Sequence, residues 1–161
     1  MAPIKEKLKK IDKIVKKNSA KPKKKKLIHQ HPKYGTSKLE EKFENEFLKK
    51  IGVNYIYQYK MDSIGRYLDF FIPEYKIAIE IQGSYWHGDP RLYEEKDLNR
   101  TQLWDKKVDE MKKKWCSKNG IPLIYIWELD INKHPERVLS YLKEVFKKEK
   151  IKKNPKKINK N

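Results

Sequence analysis

Apolar positions between residues 37 and 146 change their spacing several times, and each change marks a predicted element. Apolar residues at helical spacing lie between Ser37-x-x-Glu40, a capping-box signature, and Gly52. Three short runs rich in Ile, Tyr and Phe follow, separated by turn residues, and predict strands. Helical spacing returns after residue 100 and again from Pro135, on either side of one further apolar run. The predicted elements are helices over residues 37–51, 102–119 and 135–148, and strands over residues 55–59, 66–72, 76–82 and 122–127.

The order of these elements, α-β-β-β-α-β-α, predicts the fold class. It indicates an α/β (α+β) domain with a mixed β-sheet flanked by helices. The domain spans residues 37–146, which is long enough to bury a hydrophobic core.

Positive charge is concentrated outside this domain. The chain of 161 residues has a formal net charge of +18, whereas residues 37–146 contain 19 basic and 19 acidic side chains. Residues 1–36 form a predicted basic N-terminal arm with 13 lysines against 2 acidic residues. An amphipathic helix is predicted over 4–17 of this arm, followed by a linker. Residues 147–161 form a predicted basic C-terminal tail, so the two arms favour a polyanionic partner.

The remaining composition excludes several classes of protein. The single Cys116 excludes an internal disulfide and a zinc site built from several cysteines. No apolar run approaches membrane-spanning length, and the first residues lack the apolar segment of a signal peptide. We therefore expect an intracellular, cytoplasmic protein with no membrane partner.

Two carboxylates within apolar strands form the first candidate site. Asp69 lies in the middle of the predicted strand 66–72, and Glu80 lies in the next strand, 76–82. An unpaired carboxylate is costly to bury, whereas carboxylates brought together on paired strands bind Mg²⁺ (or Mn²⁺). The carbonyl of Ile81 could supply a further oxygen ligand. The alternative is that both side chains lie on the polar face of a half-exposed sheet.

His87 is the second candidate, because it closes Gly83-Ser-Tyr-Trp-His87 just after the strand that carries Glu80. A histidine beside a metal can transfer the proton of an attacking water, so His87 is a candidate general acid or base. The alternative is a histidine in a surface loop. Asp105 and Asp109 lie four residues apart on one face of the following helix, where pairing with a neighbouring lysine is the alternative to a role in the site.

Aromatic and basic residues supply the candidate contacts to nucleic acid. Tyr85 and Trp86 could stack on bases or wedge between them, with packing in the core as the alternative. On so basic a chain the expected substrate is a phosphodiester, and double-stranded DNA is the expected partner. The predicted DNA-binding residues are Tyr85, Trp86, Lys112, Lys23, Lys24, Lys25 and Lys26.

Six motifs in a fixed order resemble the PD-(D/E)XK nuclease superfamily, in particular its branch of Vsr-like and EDxHD homing endonucleases. The resemblance covers roughly residues 37–130. The motifs are Ser37-x-x-Glu40, Leu68-Asp69-x-x-x-Pro73, Ala78-Ile-Glu-Ile-Gln-Gly83, Tyr85-Trp86-His87, Asp109-x-x-Lys112, and the strand from Gly120 that ends in Trp127-Glu128.

The resemblance implies a restriction-endonuclease-like α-β-β-β-α-β core and a role for each motif. It makes Asp69 the principal metal ligand, with Glu80 and the Ile81 carbonyl completing the protein's share. Glu40 and His87 would hold and polarise the attacking water or the leaving group. Asp109 would hold the far ring nitrogen of His87, with Asp105 as the fallback. Gln82 stands where many such nucleases carry a lysine, so it can orient a water or a phosphate but supplies no charge.

The sequence also departs from the mismatch-repair members of this branch. Those proteins carry a structural zinc site of cysteines and histidines that a single cysteine cannot form, and they usually lack an acid at the position of Glu80. The expected function is therefore a metal-dependent DNA endonuclease of the homing, mobile-element or Vsr-like nicking type, in a bacterial, phage or other mobile-element context. The alternative is a nucleic-acid-binding module on a catalytically inactive nuclease scaffold.

Overall fold

The computed structural model describes residues 37–153 of the chain, and the elements of this part follow the predicted order closely. The first helix, α1, has three consecutive segments, Lys38–Phe43, a π-helical Glu44–Leu48, and Lys49–Ile51. The later elements are β1 (Ile56–Met61), β2 (Arg66–Ile72), β3 (Ile77–Gln82), a 3₁₀ turn (Glu95–Asp97), α2 (Arg100–Lys118), β4 (Leu123–Trp127), α3 (Glu128–Lys133) and α4 (Pro135–Lys153).

The four strands form one mixed sheet in the order β1-β2-β3-β4, which confirms the predicted fold class. β1 pairs antiparallel with β2, and β2 pairs antiparallel with β3. β3 pairs parallel with β4, because α2 returns the chain across the sheet between them. The result is an α+β domain whose sheet is covered by helices.

Two hydrophobic clusters lie on opposite faces of the sheet. Ile77 and Ile79 of β3 contact a large cluster that includes residues of α1, α3 and α4. Ala78, between them, contacts a smaller cluster that includes Cys116 of α2. Because side chains alternate across a strand, this division places α2 alone on one face and the other three helices on the opposite face. β3 is buried along its whole length, as expected for a central strand.

One helix was not predicted from the sequence, and another is longer than predicted. α3 begins at Glu128, immediately after β4, where no separate helix was expected. α4 continues to Lys153, so the first seven residues of the predicted tail 147–161 are helical. The N-terminal arm 1–36, its helix 4–17, Lys23–Lys26 and the last residues of the tail lie outside the described residues. No helix within 37–153 combines the length and apolarity needed to cross a membrane.

Candidate metal and phosphodiester site

At Asp69 and Glu80, backbone N–H groups of β2 and β3 donate to carboxylates of the neighbouring strand. The strands pair through Phe70–Ile79, Phe71–Ala78 and Ile72–Ile77, so one further step of this register places Asp69 opposite Glu80. There the Asp69 N–H donates to Glu80 Oε1 at 3.1 Å, and the Ile81 N–H donates to Asp69 Oδ2 at 2.8 Å. The N–H and C=O of one strand residue face the same edge, so the Ile81 carbonyl is directed to the Asp69 side as well.

A break in β1 lies beside the same position. Gln58 has a φ of 52°, in the left-handed region that a non-glycine residue seldom occupies. On one side of it Tyr57 belongs to the larger cluster, whereas two residues later Tyr59 packs against the smaller one. β1 therefore changes the face to which its side chains point at Gln58, directly opposite Asp69 in the β1–β2 register. Nothing in the alternating aromatic pattern of this strand indicated the change.

Glu40 joins the site from α1, and the predicted capping box is wrong. Ser37 does cap the helix, but its side chain accepts from the Leu39 N–H. The Glu40 side chain instead accepts from the Tyr57 hydroxyl at 2.7 Å and from Gln58 Nε2 at 3.2 Å. Contacts with β1 therefore hold this carboxylate towards the sheet, on the side where Asp69 lies.

A second glutamate–tyrosine contact fixes α1 against β1. Glu44, one helical turn after Glu40, is buried and accepts from the Tyr55 hydroxyl. Tyr55 and Tyr57 lie two residues apart along the chain, so both hydroxyls reach the same helix. Glu44 begins the π-helical segment of α1, and such segments occur frequently at functional sites. The sequence analysis did not identify Tyr55, Tyr57 or Gln58 as contributors.

Lys112, predicted to bind DNA, lies inside the site and contacts a carboxylate. Its side chain is 13% exposed, and Nζ lies 2.6 Å from Glu80 Oε2. Its position on α2, on the face opposite α1, brings this ammonium to the carboxylates from the other side of the sheet. The alternative pairing partner for the helix aspartates, Lys113, lies near Glu110 instead.

Charge in this acidic cluster, which comprises Glu40, Asp69 and Glu80, is only partly compensated. Burial, followed by repulsion from Asp69, raises the pKa of Glu40 to about 7 and that of Glu80 to about 8. Burial also raises the pKa of Asp69, although Lys112 opposes the shift. Burial alone would lower the pKa of Lys112, but attraction to Glu80 and Asp69 raises it above its ordinary value. One ammonium cannot balance three ionised carboxylates, so the cluster favours protonation of some of its carboxyl groups.

The donor chemistry of the acidic cluster fits a hard divalent cation. Carboxylate oxygens and a strand carbonyl are the ligands that Mg²⁺ and Mn²⁺ take, and the raised pKa values report charge that such a cation would offset. The positions of these side chains match a metal site less well than their donor chemistry does. Within residues 37–153, no three acidic, histidine or cysteine side chains converge as a formed metal site, and Lys112 already contacts Glu80.

His87 pairs with Asp109, which decides between the two candidate aspartates. His87 Nδ1 lies 2.8 Å from Asp109 Oδ2, and both side chains are about one-fifth exposed. No contact joins Asp105 to His87 in the described part of the chain. A carboxylate on Nδ1 favours the tautomer with its hydrogen there, which leaves Nε2 to accept or return a proton.

Gln82 is buried beside this pair and has no protein partner among residues 37–153. It is 2% exposed, and neither its Oε1 nor its Nε2 makes a hydrogen bond. It lines a cavity of about 460 Å³ together with His87 and Asp109. The structure therefore brings Gln82 close to the His87–Asp109 pair.

Tyr85 and Trp86 lie on the surface, which excludes the alternative of core packing. They are 51% and 58% exposed, and their rings meet edge to face at 5.3 Å. Gln102 of α2 donates to the Tyr85 carbonyl, and Glu128 of α3 accepts from the Ser84 N–H. These contacts fix the backbone of the turn, while both aromatic rings remain accessible.

A separate network, comprising Asp89, Arg91 and Asp130, holds the loop after His87. Asp89 is fully buried and accepts from Arg91 Nε at 2.9 Å and from Arg91 Nη2 at 2.7 Å. Arg91 Nη1 also donates to Asp130 of α3 at 2.8 Å. The hydrogen bonds from Arg91 lower the pKa of Asp89. No spacing in the sequence pointed to this Arg91 network, because its members come from a loop and an unpredicted helix.

Comparison with known proteins adds no further assignment to this geometry. No family model matches the chain, and no curated protein matches it. The residues themselves therefore carry the functional argument.

Proposed function

We propose that this protein is a divalent-metal-dependent DNA endonuclease that hydrolyses phosphodiester bonds. The observation that carries the proposal is that Asp69 of the acidic cluster lies close enough to His87 and Asp109 to interact with both charges, while His87 and Asp109 pair with each other. Residues of α1, β2, β3, α2 and the turn after β3 contribute to it. A histidine with one ring nitrogen held by a carboxylate is suited to proton transfer in hydrolysis, because its other ring nitrogen stays available.

In this proposal, different residues of the chain have separate roles in hydrolysis. Asp69, Glu80 and the Ile81 carbonyl would hold the cation, and Tyr57 and Gln58 hold Glu40 towards them. When bound, Mg²⁺ or Mn²⁺ would neutralise charge that develops on the scissile phosphate. His87 accepts or returns a proton at Nε2, and Asp109 stabilises the imidazolium that forms.

Binding of double-stranded DNA is assigned to two groups of residues. Tyr85 and Trp86 are exposed next to His87 and present flat rings to bases. The lysines of the two basic arms would supply affinity through the phosphates, without reading sequence. This division, with the α-β-β-β-α-β order of elements, supports a restriction-endonuclease-like enzyme of the homing, mobile-element or Vsr-like nicking type, acting inside the cell.

A cleavage assay tests the proposal. The protein and an Asp69→Ala variant are incubated with supercoiled plasmid, linear duplex and mismatched duplex, in Mg²⁺ and in Mn²⁺. We expect metal-dependent cutting by the unaltered protein and none by the variant. Equal cutting by both proteins, or no cutting by either on any substrate, would contradict the catalytic proposal.

A nucleic-acid-binding module without activity is the second candidate, and one observation favours it. The Lys112 ammonium already lies 2.6 Å from Glu80, as in a scaffold that has replaced its metal with an internal cation. Calorimetric titration with Mn²⁺ separates the two candidates. An inactive module takes up no metal here, whereas the enzyme binds Mn²⁺ in a manner that Asp69→Ala abolishes.

A further inference from the structure

The cavity beside His87 lies at the carboxyl ends of the two parallel strands. Gln82 of β3 and Trp127 of β4 are direct neighbours in the register of these strands, and both line the cavity with Tyr125. Its volume is about 460 Å³, within the range of small-molecule sites. The carboxyl ends of parallel strands are a common place for ligands in sheets flanked by helices.

The amide of Gln82 is the polar feature that this cavity leaves unexplained. Buried amides in folded proteins are nearly always hydrogen-bonded, because an unpaired one is destabilising. Neither polar atom of Gln82 has a partner in the described part of the chain. Turning the amide into the cavity therefore breaks no protein hydrogen bond and offers one donor beside one acceptor.

The other walls favour a flat ring that carries charge at one end. Tyr125 and Trp127 lie two residues apart on β4, on one face of the strand, and are partly buried. Two ion pairs complete the lining, Lys106 with Glu95 and Lys113 with Glu110, each at 3.7 Å. The aromatic rings can stack on a heterocycle, the lysines can bind a phosphate, and the glutamates can accept from an amino group.

We propose that this cavity binds a single unpaired nucleobase, with adenine preferred. A carboxamide pairs with adenine through the amino group and an adjacent ring nitrogen, and glutamates of the lining can accept from that amino group. A base can enter only after it has left the helical stack. The nucleobase could belong to a DNA strand or to a free nucleotide. The choice of DNA as its source rests on the proposed nuclease function.

Binding measured without divalent metal tests the inference apart from catalysis. Fluorescence anisotropy in EDTA compares labelled duplexes that carry a bulged adenine, a bulged thymine or a bulged abasic site. A parallel calorimetric titration uses free dAMP, dTMP and deoxyribose 5-phosphate. We expect the adenine bulge to bind roughly tenfold more tightly than the abasic bulge, with thymine between them.

Two variants of the full chain connect the preference to the cavity. Gln82→Leu removes the unpaired amide, so we expect an unchanged or higher melting temperature together with loss of the adenine preference. Trp127→Leu removes a stacking wall and should weaken all bulged bases towards the abasic value. A lysine outside the cavity lining, Lys114, provides the control, since Lys114→Met should weaken every duplex equally.

The possible results either support or overturn the inference. Adenine preference in the duplexes that disappears in Gln82→Leu assigns the base to a DNA strand, and the same pattern with dAMP alone assigns it to a free nucleotide. Binding that does not depend on the base overturns the inference. An adenine preference that persists in folded Gln82→Leu protein also overturns it. Base-dependent binding without metal-dependent cutting would leave the cavity assignment intact and reject the nuclease proposal instead.

Discussion

The Arg91 network and the acidic cluster both place carboxylates inside the protein, but they differ in how charge is balanced. In the network, one guanidinium makes hydrogen bonds to two aspartates, and the pKa of Asp89 falls. In the cluster, one ammonium faces three carboxylates, and the pKa of Glu80 rises to about 8. The comparison therefore indicates that the network is a structural contact, and it supports the proposal that the cluster takes up a cation.

Neutralising a carboxylate of the acidic cluster should have the largest effect on the proposed activity. Asp69→Asn should lower metal-dependent cleavage by about a thousandfold, because a metal that loses its principal ligand no longer stabilises the transition state. The same change should leave the melting temperature without metal unchanged or raised, because it removes one of three crowded charges. Single-turnover cleavage and calorimetry check the two effects. A clear fall in stability with full activity would mean that Asp69 is structural.

Removing the imidazole tests whether the region beside the cluster performs proton transfer. His87→Ala should lower the cleavage rate by about a hundredfold, because general acid–base catalysis is lost. Uptake of Mn²⁺ should persist, since the carboxylates remain. The matched control is His134→Ala, a histidine at the end of α3. Equal losses in the two variants would indicate an effect on folding rather than on proton transfer.

Removing the Arg91 guanidinium tests the Arg91 network, in which the charges are balanced. Arg91→Met leaves the fully buried Asp89 without its main partner, so the free energy of unfolding should fall by about 2–3 kcal/mol. Lys96→Met removes a fully exposed ion pair with Glu94 and should cost less than about 0.5 kcal/mol. Urea denaturation measures both. A similar small change in the two variants would remove the distinction between network and surface pair.

The last prediction concerns the dependence of stability on pH and on metal. The pKa values of Glu40 and Glu80 in the folded protein, about 7 and about 8, lie above the ordinary 4.5. The unfolded chain therefore ionises first, and these groups lose their contribution to stability as pH rises from about 4.5 to about 8. Mg²⁺ should offset that loss, so it should raise the melting temperature more near pH 8 than near pH 5.

Calorimetry of Glu80→Gln provides the control for the pH effect. An amide does not titrate in this range, so the variant should show a flatter pH profile and a smaller response to Mg²⁺. A metal response that is equal at both pH values, or unchanged in Glu80→Gln, would show that Mg²⁺ acts elsewhere on the chain.

Local patterns predicted most elements and the central pair of carboxylates. The apolar runs around Asp69 and Glu80, with a short turn between them, were sufficient to place them on adjacent strands, because short apolar runs and turn residues are local properties. Ser37 was identified correctly as a helix cap for the same reason. The role of Glu40 was misassigned, because Tyr57 lies 17 residues away and no local rule ranks that contact above a capping box.

Long-range contacts decided the rest of the candidate site. Asp105 and Asp109 share a helix face, and only the packing of α2 on the sheet brings Asp109 rather than Asp105 to His87. The same packing buries Lys112 against Glu80, a contact that was not predicted from the sequence. The change of side-chain face in β1 at Gln58 could not be predicted from local rules either, because a left-handed glutamine has no sequence signature.

The sequence by itself determined which segments become helices and strands, where positive charge lies along the chain, and that Asp69 and Glu80 would be neighbours. These features follow from periodicity, turn residues and composition, which act over a few residues. The tertiary structure alone decided the balance of charge in the two clusters, the partner of His87 and the unpaired amide of Gln82. Each of these depends on which distant groups share a low-dielectric interior, and that is settled only when helices pack on both faces of the sheet.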